Sequence, residues 1–71
     1  MKLKLLDVVV LKKSLPLQKL VQGAIGTVVE ILDADKNIYL IEFADTKGVA
    51  YSILDLNASQ LMKVVHEPML V

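Results

Sequence analysis

The stretch from Gly23 to Phe43 reads GAIGTVVEILDADKNIYLIEF, two apolar runs on either side of a polar turn. Thr27 to Leu32 is rich in β-branched side chains, which suit a pleated, half-buried surface, so it predicts a strand. Asp33-Ala34-Asp35-Lys36-Asn37 holds residues whose short side chains bond their own backbone in turns. Ile38 to Phe43 is the returning strand. Its alternation puts Tyr39, Ile41 and Phe43 on one face and Ile38, Leu40 and Glu42 on the other. The face of Ile41 and Phe43 is the better core candidate, with Tyr39 near its end. Gly23 and Gly26 open the hairpin and predict a tight turn followed by a bulge or close backbone approach.

Working outward, Leu6 to Leu11 (LDVVVL) predicts the first strand, and Lys12 to Gln22, containing Pro16, is a long connection. After the hairpin, Asp45-Thr46-Lys47-Gly48 is a turn with glycine where positive φ is expected. Val49 to Leu56 is the fourth strand. Asn57-Ala58-Ser59-Gln60-Leu61 predicts one helical turn capped by Asn57, and Met62 to Val65 a short fifth strand. Helical spacing occurs only in Leu15 to Val21, where Pro16 would occupy the first turn. The expected fold class is therefore all-β: a small SH3-like antiparallel barrel of about five strands with a single short helical turn before the last strand. No repeat or linker divides the chain. Residues 1–71 are expected to form one domain, with 66–71 an apolar C-terminal tail.

Composition removes several classes of function. The chain has 71 residues, 55% hydrophobic and 23% charged, too apolar for disorder. It has no cysteine, hence no disulfide or thiolate site. No apolar run approaches the ~20 residues of a membrane span, and no signal-like cleavage site follows Met1, so a cytoplasmic location is expected. Every basic residue is lysine and the net charge is zero, which argues against a polyanionic partner. A catalytic constellation is also missing. His66 and Glu67 are adjacent, so in an extended segment they point apart. Ser14, Ser52 and Ser59 have no His–Asp arrangement around them, and Asp33 with Asp35 reads as a solvated turn. The chain is not expected to be an enzyme, and no cofactor or metal is expected.

The series Leu5-Leu6-Asp7-Val8-Val9-Val10-Leu11, Leu15-Pro16, Gly23-x-x-Gly26-Thr27-Val28-Val29-Glu30, Tyr39-x-Ile41-Glu42-Phe43, Asp45, Gly48 and Gln60-Leu61 resembles a small bacterial family, domain of unknown function 4926. The likeness runs from about residue 3 to residue 64. It implies an SH3-like barrel with no assigned activity, whose members sit beside other small proteins in the manner of paired proteins. More distantly, Val21-x-Gly23-x-x-Gly26-x-Val28 is similar to the glycine-bearing turn of KOW-type and nitrile-hydratase-β-like barrels. The tail Val65 to Val71 is more apolar than the family pattern.

Over half the residues are apolar in a chain too short to bury them all, so apolar side chains are expected at the surface. In the first strand both faces are apolar, Val9 and Leu11 against Val8 and Val10, and Ile38 and Leu40 repeat that excess. The expected partner-binding residues are Val8, Val10, Ile38, Leu40, Tyr51 and the tail residues Met69, Leu70 and Val71. Gly23, Gly26 and Gly48 are expected to be structural. The expected function is a non-catalytic protein-interaction module. It self-associates or pairs with the protein of a neighbouring gene, an antitoxin- or immunity-like role being one form of such pairing. The alternatives are a KOW-like RNA or ribonucleoprotein module using Lys12, Lys13, Lys19 and Tyr51, and a small accessory subunit of a larger enzyme.

Overall fold

A computed structural model describes residues 2–64. Its five strands are β1 (Val8–Leu11), β2 (Ile25–Asp33), β3 (Ile38–Ala44), β4 (Ala50–Asn57) and β5 (Leu61–Lys63). They form one antiparallel sheet in the order β4-β3-β2-β1-β5. The hairpin read from Gly23 to Phe43 is its centre. Gly26 lies opposite Phe43 and Val28 opposite Ile41, while β1 pairs only with the first part of β2, Ile25 to Thr27.

Edge strands β4 and β5 are joined by only three residues, Ala58–Gln60, in a 3₁₀ turn. That turn advances about 6 Å, whereas the edges of a flat five-stranded sheet lie about 19 Å apart. The sheet must therefore curl until its edges approach at this end. Irregular register between β2 and β3, after Val28 and after Ile31, supplies bending points. Among the described residues no ladder joins β4 to β5, so the structure is a curled open sheet rather than a hydrogen-bonded closed barrel.

The curl encloses Val9, Leu11, Val28, Tyr39, Ile41, Phe43, Leu56 and Leu61. The expected assignment of Tyr39, Ile41 and Phe43 to the inner face holds in β3, where all three are buried and their alternates are not. Tyr39 closes one end. Its hydroxyl accepts from the Leu3 backbone N–H at 3.1 Å and donates to Asn37 Oδ1 at 3.4 Å, so the buried polar tip is satisfied.

Several expectations need correction. The first strand begins at Val8 rather than Leu6, because Leu5 and Leu6 form a turn in which Asp7 Oδ2 accepts the Lys4 N–H at 2.8 Å. The second strand begins at Ile25, since β1 recruits Ile25 and Gly26 into its ladder. The helical turn before the last strand is present, but it is not the only one. A second 3₁₀ turn, Pro16–Gln18, sits inside the long connection, where proline at the first helical position suits it. Leu15 and Leu20 bridge across it, and Leu20 swings back into the core, so this connection is a packed excursion. The last strand is Leu61–Lys63, and the tail expected at 66–71 lies outside the described residues.

Candidate interaction surface

The outer face of the sheet divides into two chemically different halves. On the β5-β1-β2 half, Met62, Val10 and Ile25 form one cross-strand row. Beside it, Val64, whose N–H donates to the Val8 carbonyl at 2.9 Å, extends the ladder to Val8 and Thr27. Ile25 is 60% exposed, Met62 58%, Val64 43% and Val8 40%, with Val10 half-buried. No charged side chain interrupts these five. On the β2-β3-β4 half, Leu40 stands between Glu30 and Asp55, and Ile38 between Asp33 and Asn57. Glu42 separates Thr27 from Ile53. Carboxylates populate this half, while most lysines lie in turns and termini.

The residues expected to bind a partner are therefore not one patch. Val8 and Val10 share the apolar half. Ile38 and Leu40 are half-buried among carboxylates, and Tyr51 sits at the register shift on edge strand β4. Met69, Leu70 and Val71 lie outside the described residues. Sequence reading missed Ile25, Met62 and Val64. Ile25 shares parity with Thr27, and Met62 alternates with the core residue Leu61, so both were recoverable once the strand ends were known.

The RNA constellation is split as well. Lys12 donates its N–H to the Gln60 carbonyl beside the second 3₁₀ turn. Tyr51 lies six residues before Asn57 along β4, about 20 Å of extended chain away from that turn. Lys12 also borders a cleft of about 370 Å³ lined by Asn37, Asn57, Ala58, Ser59, Leu61 and Met62. Its polar groups are largely committed to the fold: Asn57 Oδ1 accepts from Ser59 N–H, Asn57 Nδ2 donates to the Lys36 carbonyl, and Asn37 Oδ1 holds the Tyr39 hydroxyl.

The three glycines do separate jobs. Gly23 has φ +90° in the turn where Ala24 N–H meets the Val21 carbonyl, and Gly48 has φ +80° in the β3–β4 turn. Gly26 is different: a Cβ there would lie 2.6 Å from Ile41 Cγ2 and 3.0 Å from Phe43 Cε1. Leu6 takes a left-handed conformation without being glycine, at φ 70°, and is 75% exposed.

Among the described residues no group of three or more His, Cys, Asp or Glu could hold a metal ion. Asp33 and Asp45 use their carboxylates on turn N–H groups, Lys36 for the first and Lys47 and Val49 for the second. Ser14 Oγ accepts the Gln22 N–H within the long connection, and His66 lies outside the described residues. Among the described residues, no helix is long and apolar enough to cross a membrane.

No curated protein and no solved structure matches this chain. The family described as Domain of unknown function (DUF4926) matches residues 5–63, which takes in all five strands and both 3₁₀ turns, and the chain belongs to that family.

Proposed function

We propose that this chain is an SH3-like barrel acting as a non-catalytic protein-interaction module, and that it docks through the outer face of β5-β1-β2. The barrel reading is supported by the strand order, by β2 pairing with both β1 and β3, and by the 3₁₀ turn linking the two edge strands. The observation that carries the function is the uncharged cluster of Val8, Val10, Ile25, Met62 and Val64. It stays open to solvent although the inner face already has a dense core. A contiguous apolar patch, in contrast to singly scattered apolar side chains, is the kind of surface that serves as a contact.

Leu6 supports the same reading. A left-handed leucine costs about 1–2 kcal/mol, yet its side chain is presented to solvent just before Val8. Pairing with the product of a neighbouring gene, in an antitoxin- or immunity-like role, is one use of such a face, and a cytoplasmic location suits it.

Capture of tagged protein from the native host, with and without nuclease, tests this. The double variant Ile25→Lys/Met62→Lys keeps its unfolding free energy to within about 1 kcal/mol, because both positions are solvent-facing. It should lose the protein that the unaltered chain retains after nuclease. Undiminished capture by the double variant removes this face from consideration. Recovery of RNA, with all proteins lost on nuclease treatment, overturns the reading in favour of a nucleic-acid module.

A further inference from the structure

We propose that the occupant of this face is a second copy of the chain, related by a two-fold axis that seats Lys12 of each copy against Glu42 of the other. The inference rests on the interaction-module reading and names the partner for the same face.

The face has charge only at its margins, and of opposite sign. At the end of β1, one residue past Leu11, Lys12 donates its N–H to the Gln60 carbonyl and shares the cleft lining with Met62. On the β2 side Glu42 follows Thr27, which is itself opposite Val8. The one ion pair among the described residues is Lys63 with Asp7 at 3.4 Å, so Lys12 and Glu42 are both free there. Rotating a copy by 180° about an axis lying in the face, perpendicular to the line from Lys12 to Glu42, reverses that line and turns the face over. Each lysine margin then meets the other copy's glutamate margin, and the apolar residues meet in the middle. This is an isologous contact, which closes at the dimer. Zero net charge on the chain leaves no overall repulsion between copies.

The size also fits. Four of the five side chains are 40–60% exposed and Val10 is half-buried, an apolar centre of the kind found inside a standard footprint of about 800 Å² per partner. The sheet edges are poorer candidates for self-pairing. Strand β5 has three residues and carries Lys63, and β4 carries a register shift at Tyr51 and the exposed carboxylate of Asp55. Short length, charge and bulges are the devices that blunt an edge.

Sedimentation velocity of the purified full chain, from low to high micromolar at low salt, tests the proposal. The unaltered chain should reach a dimer. Glu42→Lys alone and Lys12→Glu alone each oppose like charges and should weaken the dimer by about tenfold or more. An equimolar mixture of these two variants should restore it, because each supplies the charge the other lacks. Restoration in the mixture is an outcome that a merely destabilised variant cannot produce. A chain that stays monomeric throughout, or a mixture no better than its components, overturns the second-copy assignment. Capture from the host then separates the two readings. A different protein lost with Ile25→Lys/Met62→Lys keeps the module and replaces its partner. A monomer whose capture ignores those substitutions defeats both.

Discussion

At Gly26 and Leu6 backbone and side chain disagree, and they do so in opposite senses. At Gly26 the missing Cβ is what lets the inner layer close. Ile41 is β-branched and fully buried, so its methyl cannot rotate away cheaply, and the Phe43 ring blocks the other direction. Gly26→Ala should cost about 1–3 kcal/mol in urea unfolding, the range for overpacked cores. A loss below a few tenths would mean the sheet adjusts freely there. At Leu6 strain is held by neighbours: its N–H donates to the Val28 carbonyl at 2.8 Å, and Asp7 is bonded to both Lys4 and Val28. Leu6→Gly should relieve that strain and raise stability by about 0.5–1 kcal/mol after its own entropy cost. The same variant should capture its partner less well if the exposed leucine contributes to docking. A stabilised variant with unchanged capture would leave the strained leucine unexplained.

Among the elements, the 3₁₀ turn of Ala58–Gln60 has the largest leverage for its size. Asn57 caps it, accepting the Ser59 N–H at 2.8 Å, while Gln60 Oε1 accepts the Asn57 N–H at 3.0 Å. The Asn57 amide also reaches the Lys36 carbonyl at 3.1 Å, tying this turn to the β2–β3 turn. Asn57→Ala removes both contacts and should lower stability by about 0.5–2 kcal/mol. The loss should exceed that of Ser59→Ala, whose exposed side chain makes no hydrogen bond among the described residues. Equal losses would show that the cap is not what holds the turn. The segment NASQL already spelled this element, because a capping asparagine with glutamine three residues later is a local signal. The turn at Pro16–Gln18 was less legible, since it depends on Leu20 returning to a core built from distant strands.

Across the whole molecule, protection from solvent falls away from the centre of the sheet. Val9, Val28, Ile41 and Phe43 are fully buried on paired strands, whereas Ala50, Tyr51 and Ile53 are exposed on an edge. Amide hydrogen exchange should therefore be slowest in β1, the first half of β2, and β3, and fastest in the first half of β4. Dimerisation through the β5-β1-β2 face should not alter the β4 rates. If β4 amides become protected as concentration rises, the contact runs through that edge instead. The zero net charge conceals an uneven distribution, because carboxylates stand on the strands of one half-sheet and lysines mostly on turns. The formal charge alone therefore understates what the surface can do electrostatically.

Alternation, turn residues and the cap are local signals, so the five strands, the β2–β3 hairpin, the inner face of Tyr39, Ile41 and Phe43, and the 3₁₀ turn before β5 were all legible in the order of the residues. Each depends on bonds or side-chain directions within a few residues. Strand pairing across the chain set which strands became edges, brought Leu3 and Leu20 into the core, and divided the expected surface residues between two half-sheets. Those outcomes depend on β1 pairing at once with β2 and β5 and on the curl forced by a three-residue link. Cross-strand register brought Ile25 and Met62 beside Val10, a neighbourhood created by pairing between residues far apart in the chain.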